Sequence, residues 1–163
     1  MRMKFENLVD IITRTALRRN PEKSVQDEVC DEVLGTGKLA LQKLMSKSDY
    51  VVCSAPSTVE TRGMVNADAF RAAKSNQVFI NLGRGPVIDE DALIESLKNG
   101  TLRGAALDVF AAEPLPEDSE LWDLESKFVC SITRLAKTPS SHAFTSRCAA
   151  EPSQHGSNIH FHA

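Results

Sequence analysis

Three short apolar runs constrain this chain more than anything else in it: Tyr50-Val51-Val52-Cys53, Val78-Phe79-Ile80, and Ala105-Ala106-Leu107 leading into Asp108-Val109-Phe110. Each is too short for a buried helix, and each is continuous rather than alternating. That pattern predicts strands buried on both faces. Helix signals fill the gaps between them. Asn66 is a good N-cap, with Asp68 in the first turn and Phe70, Ala72 and Ala73 behind it. Asp89 caps the next helix, Leu93, Ile94 and Leu97 form its inner stripe, and Gly100 sits where a left-handed C-terminal residue belongs. Strand, helix, strand, helix, strand implies parallel pairing through right-handed crossovers. The expected class is α/β, a doubly wound parallel sheet whose ligands bind beyond the carboxyl ends of the strands. The positions to read are then Ser54-Ala55-Pro56, Asn81-Leu82-Gly83-Arg84-Gly85, and Asp108 to Pro114.

Elements before residue 50 are fainter. Phe5, Leu8, Val9 and Ile12 fall at i, i+3, i+4, i+7, the spacing of a helix face. Ala16-Leu17-Arg18-Arg19 is a short segment stopped by Asn20-Pro21, and Val29 to Leu34 is a short strand broken by Gly35-Thr36-Gly37. Leu39, Leu41, Leu44 and Met45 suggest a helix ending near Ser48.

Composition divides the chain in two. Residues 1–125 hold fifteen basic and twenty-one acidic side chains, whereas 126–163 hold four and one, so a net −6 gives way to +3. All four histidines (His142, His155, His160, His162) lie in the second part, which is rich in Ser, Thr, Pro and Ala. We read a folded unit over 1–125 and a weakly structured tail over 126–163. The overall charge of −3 lacks the basic excess that general nucleic-acid binding needs. No apolar run reaches the roughly 18–20 residues of a membrane span, and no apolar signal core follows the first residues. Cys30, Cys53, Cys130 and Cys148 are scattered without a C-x-x-C pair, so no zinc ribbon or dithiol site is written. Such thiols fit a reducing compartment, so a cytoplasmic location is expected, with an organelle left open.

Several motifs carry chemistry. Gly35-Thr36-Gly37-Lys38-Leu39-Ala40 imitates a dinucleotide fingerprint, but the strand before it is short and Ala55-Pro56 stands where an acidic strand end should. A loop and helix start is the preferred reading. Asn81-Leu82-Gly83-Arg84-Gly85 places glycines where backbone can approach a flat ligand, and an Arg that can grip a carboxylate through two parallel hydrogen bonds. The other reading is a surface Arg in a strand-to-helix loop. Asp108 and Glu113 follow the next strand, and a carboxylate there can orient an imidazole or be a solvated loop acid. His155, His160 and His162 with Cys148 match no tetrahedral metal spacing, so no metal is expected.

Taken together, the stretch from Ser48 to Trp122 closely resembles the nucleotide-binding domain of the D-isomer-specific 2-hydroxyacid dehydrogenases. The resemblance rests on Ser48-Asp49-Tyr50-Val51-Val52, Pro56-Ser57-Thr58-Val59-Glu60-Thr61-Arg62-Gly63, and Phe79-Ile80-Asn81-Leu82-Gly83-Arg84-Gly85-Pro86-Val87-Ile88-Asp89-Glu90. It continues through Leu102 to Phe110, then Glu113-Pro114-Leu115-Pro116 and Leu121-Trp122. Ala16 to Leu34 adds a weaker match. The resemblance implies a Rossmann-type domain that interconverts a 2-keto acid and a D-2-hydroxy acid by hydride transfer with NAD or NADP. It implies that Arg84 grips the substrate carboxylate, Glu113 supports a catalytic histidine, and Asp108 bonds the nicotinamide carboxamide. It places Ala55, Pro56, Thr61, Leu82, Gly83 and Arg84 along the cofactor. Arg18 and Arg19, at the end of the second strand, tilt the expectation toward NADP, where NAD enzymes place an acid. A small keto or hydroxy acid is the expected partner, with a homodimer as an option.

Three departures shape the expectation further. The family's outer catalytic and substrate domain is expected to be absent, since nothing precedes the nucleotide-binding half. Met1 to Thr15 contains no glycine, although the family's glycine loop should precede Ala16. The catalytic histidine should come soon after Leu121-Trp122 in a Ser-Pro-His or Thr-Pro-His run, yet the sequence there reads Glu125-Ser126-Lys127-Phe128. Thr138-Pro139-Ser140-Ser141-His142 echoes it too late. The expectation is an incomplete domain, from a truncated or aberrantly spliced gene, with impaired activity. The rival readings are a corepressor-like nucleotide-binding interaction protein and a fragment without a stable fold.

Overall fold

In the computed structural model, which describes residues 13–24, 30–124 and 128–130, the three apolar runs become neighbouring parallel strands. They are β3 (Tyr50–Cys53), β4 (Gln77–Asn81) and β5 (Leu102–Leu107), joined at the far edge by β6 (Phe128–Cys130) in the order β3-β4-β5-β6. Two earlier strands, β1 (Thr15–Leu17) and β2 (Glu32–Leu34), pair in parallel as a separate two-stranded sheet. The helices are α1 (Lys38–Lys47), α2 (Ala67–Arg71) and α3 (Glu90–Lys98). Phe128–Cys130 pairs with Ala105–Leu107, so the sheet takes a strand from beyond the composition break. The expected helix over Phe5–Ile12, the start of the expected Val29–Leu34 strand and the tail beyond residue 130 lie outside the described residues.

Register explains which side chains form the core. Val51, Phe79 and Ala105 are lateral partners, as are Cys53, Asn81 and Leu107. All six are buried and face the helices, whose Leu41, Leu44, Met45, Phe70, Leu93 and Leu97 complete the same cluster. Phe70 of α2 meets Phe79 edge-on, ring centroids 5.3 Å apart at 84°, the arrangement aromatic quadrupoles favour. The expectation of strands buried on both faces is corrected at β3. Tyr50 and Val52 are each 56% exposed, because among the described residues the helices cover one face.

The predicted caps are present. Asn66 Oδ1 accepts the Asp68 and Ala69 N–H groups at 3.0 and 3.3 Å, and the Asp89 carboxylate accepts Ala92 N–H at 3.1 Å. Gly100 holds φ 78° after α3. A cap that sequence reading missed closes α1: Gln77, fully buried on β4, donates its Nε2 to the Met45 and Ser48 carbonyls, both at 2.7 Å. These carbonyls belong to the helix end, where no intrahelical donor remains. α1 is tied to β2 by Lys43 and Lys47, whose ammonium groups reach Glu32 at 2.7 and 3.3 Å and hold its carboxyl below its ordinary range. No helix among the described residues is long and apolar enough to cross a membrane.

Candidate active site

The site grows from the end of β4. Asn81 is fully buried, and its Oδ1 accepts Gly83 N–H at 3.1 Å while its Nδ2 donates to the Arg84 carbonyl at 3.4 Å. One side chain thus shapes the Leu82–Arg84 turn. The Asn81 carbonyl also accepts Asp108 N–H at 2.9 Å, which fixes the end of β5 beside it. On the other side, Leu82 N–H donates to the Cys53 carbonyl at 2.9 Å. Three strand ends therefore meet around Asn81, a residue whose role sequence reading did not single out. An Asn at the end of a strand, two residues before a Gly-Arg-Gly turn, is the signal that could have found it.

Both glycines of that turn are required by backbone packing. A Cβ on Gly83 would lie 2.5 Å from the Ala55 carbonyl oxygen, and one on Gly85 would lie 1.8 Å from the Phe110 carbonyl oxygen. The space their missing side chains leave is filled by neighbouring backbone. Arg84, between them, is exposed and donates from Nη1 to the Gly83 carbonyl at 2.9 Å.

Arg84 and Glu113 line one cleft of about 410 Å³ together with Gly85, Pro86, Val109, Phe110 and Ala111. Glu113 Oε1 accepts Phe110 N–H at 3.1 Å. Asp108, half-buried, stands directly before Val109 at the same edge. Leu82 is 56% exposed at the tip of β4. The Ala55–Thr61 loop is braced internally: Thr61 donates its hydroxyl to the Pro56 carbonyl at 2.6 Å and accepts Thr58 N–H at 2.8 Å. Arg18 and Arg19 are exposed at the end of β1. Arg19 lies near enough to Glu60 to help keep that carboxyl low, after the larger effect of the Thr58 hydroxyl. The structure thus brings Leu82, Gly83, Arg84, Asp108 and Glu113 to one edge, sets Gly83 against Ala55, and leaves Arg19 toward the Glu60 side.

Two further groups bear on the chemistry. Burial pushes the Cys53 thiol up, which suits a core residue and not a nucleophile. Glu90, at the start of α3, was not anticipated. Burial raises its carboxyl above the ordinary value, and its Oε1 accepts Ala111 N–H at the cleft wall. The Gly35-Thr36-Gly37 turn opens α1 as a plain helix start with Gly37 at φ 140°. A wider hollow of about 590 Å³ between α1 and α2 is lined by Gln42, Lys43, Ser46, Asp68, Arg71 and Ala72, none of them from a strand. Its Asp68 is paired with Lys38 and Arg71. The His155, His160, His162 and Cys148 group lies outside the described residues.

A parallel sheet with helices, and loops at its carboxyl edge gathering an Arg and two carboxylates, defines a nucleotide-binding α/β domain of the Rossmann type. Residues 15–131 match the family model of the D-isomer specific 2-hydroxyacid dehydrogenase, NAD binding domain. The chain belongs to that family and carries its NAD(P)-binding domain. Glyoxylate/hydroxypyruvate reductase B of Cronobacter sakazakii is 46% identical over 86 residues, covering 53% of this chain and 26% of that protein. Its namesake from Yersinia pestis is 39% identical over 99 residues, 61% of this chain and 30% of that one. A crystal structure of a D-isomer specific 2-hydroxyacid dehydrogenase from Xanthobacter autotrophicus Py2 superposes with a TM-score of 0.64 at 34% identity, over 77% of this chain and 40% of that one. A crystal structure of a D-isomer specific 2-hydroxyacid dehydrogenase from Xanthobacter autotrophicus Py2 in complex with NADPH and MES gives 0.61 at 32%, over 76% and 44%. The chain therefore spans between a quarter and a half of the lengths of these proteins.

Proposed function

We propose that this domain serves an oxidoreductase that interconverts a small 2-keto acid and a D-2-hydroxy acid. The observation that carries the reading is the single cleft lined by both Arg84 and Glu113. An exposed guanidinium beside a fixed turn can hold a carboxylate in two parallel bonds and polarise the adjacent carbonyl. Glu113 is placed to orient an imidazole and to stabilise its charge as a proton passes to the developing alkoxide. Asp108, at the same strand edge, is the acceptor this reading assigns to the nicotinamide carboxamide. The exposed Leu82 and the Ala55-Pro56 backbone offer an apolar lip that fits a nicotinamide ring. When bound, the nicotinamide supplies the hydride, while the protein orients both reactants and holds charge. The relatives' names make glyoxylate and hydroxypyruvate the first substrates to test. They also favour an enzyme over a corepressor-like binding protein.

Arg18 and Arg19 support a preference for NADP, since a guanidinium can pair with the 2′-phosphate that an acidic strand end would repel. The NADPH complex of a relative agrees with that choice. Titrating the chain with NADPH and NADH, while following reduced-nicotinamide fluorescence, tests both points. Tighter binding of NADPH is expected, with the advantage falling about tenfold or more in Arg18→Ala/Arg19→Ala, a charge-assisted contact being worth about 1.5–3 kcal/mol. Absence of binding by either dinucleotide would sink the reading. Equal affinities, unchanged by the double substitution, would remove the NADP preference.

A further inference from the structure

The loop from Val109 to Glu113 is pinned at three points. Glu113 Oε1 takes the Phe110 N–H at 3.1 Å. The Phe110 carbonyl lies against Gly85, so close that a Cβ there would meet it at 1.8 Å. The third point comes from another element: Glu90, the first residue of α3, takes the Ala111 N–H on its Oε1. Two consecutive N–H groups are thus held by two carboxylates, one from the loop and one from the helix behind it.

Glu90 does not behave as an ordinary acid of a helix start. The N-terminus of α3 is already served by Asp89, which caps Ala92 N–H, and Asp91 beside it is exposed. Glu90 is half-buried and its side chain leaves the helix to reach the loop. Ala111 is an exposed residue, yet its N–H turns toward this acid. Burying part of a carboxyl to hold an exposed loop is unfavourable unless the bond it makes offsets the desolvation. We propose that Glu90 is a positioning residue: it fixes the Val109–Glu113 loop from behind, and through it sets the place of Glu113 opposite Arg84. The functional meaning of that place rests on the reading of the Arg84–Glu113 cleft given above, but the clamp itself does not.

Residue-resolved amide hydrogen exchange on the whole chain tests it. In the unmodified protein, Ala111 should exchange about tenfold or more slowly than Ala112, an exposed neighbour with no hydrogen bond at its N–H among the described residues. Glu90→Ala should abolish the protection of Ala111 and lower that of Phe110 several-fold, with β4 amides unchanged as the sign of an intact fold. Glu90→Gln should keep most of the protection, since its amide oxygen accepts the same bond. Asp91→Ala, which removes the same charge from the same turn, should change neither. An Ala111 amide in the unmodified chain that exchanges like Ala112 would overturn the clamp, whether or not the Ala variant folds. Loss of Ala111 protection in Glu90→Ala without any change at Phe110 would overturn the claim that Glu90 positions Glu113. Failure of the dinucleotide titration leaves both exchange results standing, so the two readings fail separately.

Discussion

Two turns of this chain carry a pair of glycines one residue apart, and their surroundings are opposite. Around Gly37 nothing lies within 4 Å of where a Cβ would stand, and the residue is glycine for its backbone angle, φ 140°. Around Gly83 and Gly85 the backbone angles are ordinary, and the neighbouring backbone leaves no room for a side chain. The first turn resembles a phosphate loop in its letters and is a helix start in fact. The second resembles a surface loop and is the point where three strand ends are pressed together. A glycine pattern identifies a site through what its missing side chains face.

Substitutions can break that contrast. Gly85→Ala should have the largest effect, about 3 kcal/mol of lost stability, because its Cβ would enter the Phe110 carbonyl and neither backbone can move freely. Urea unfolding measures it, and a loss below about 0.5 kcal/mol would refute the packing argument. Gly83→Ala should cost about 2 kcal/mol, its contacts at Ala55 being less severe. Gly37→Ala should cost about 1 kcal/mol, from backbone strain alone. A reversed order, with Gly37 the most sensitive, would show that the first turn does more than start a helix.

The smallest effect expected is a pH dependence from Glu90. Its carboxyl titrates above the ordinary 4.5 in the folded chain because burial disfavours the charged form, an effect partly opposed by the Ala111 hydrogen bond. Folding therefore favours the protonated acid, and deprotonation lowers stability. That loss should appear as pH rises from about 4.5 through the folded value, be complete above it, and vanish below 4.5. Unfolding midpoints of the protein and of Glu90→Gln, compared across that window, check the sign. Because the lowered carboxyls of Glu32 and Glu60 slope the other way, the difference between the two proteins is the readout. A difference that stays flat or reverses across that window would assign the titration to another group.

How far the sequence went differs in the same way between regions. From Tyr50 to Leu107 the strands, the Asn66 and Asp89 caps and the Gly100 turn could be read directly, because each depends on residues close together in the chain. Arg84 and Glu113 could be named from motif and resemblance. Their shared cleft depends on the approach of Gly85 to Phe110, which no local pattern encodes. Glu90 carries no distinguishing signal in the sequence, since local rules fully allow an acid at a helix start. Phe128–Cys130 was missed because a three-residue strand in a polar stretch has no period to detect, and its place is set by pairing with β5. The exposed flank of β3 was missed for a related reason: an apolar run does not state how many layers will cover it.

The buried amide of Gln77 bears on the order in which these parts can form. The stretch at the end of α1, Ser46-Lys47-Ser48, contains neither Gly nor Pro to stop a helix. The Met45 and Ser48 carbonyls each take a bond from the one Gln77 amide, 32 and 29 positions further along, and the Met45 carbonyl also accepts the Lys74 N–H at 3.1 Å. A helix that borrows its stop signal from a later strand cannot be finished locally. Its final turn must wait for a long loop to close, which places it on the entropy-limited side of assembly. Helix α1 and strand β4 are thus two ends of one event in time, although the chain writes them far apart.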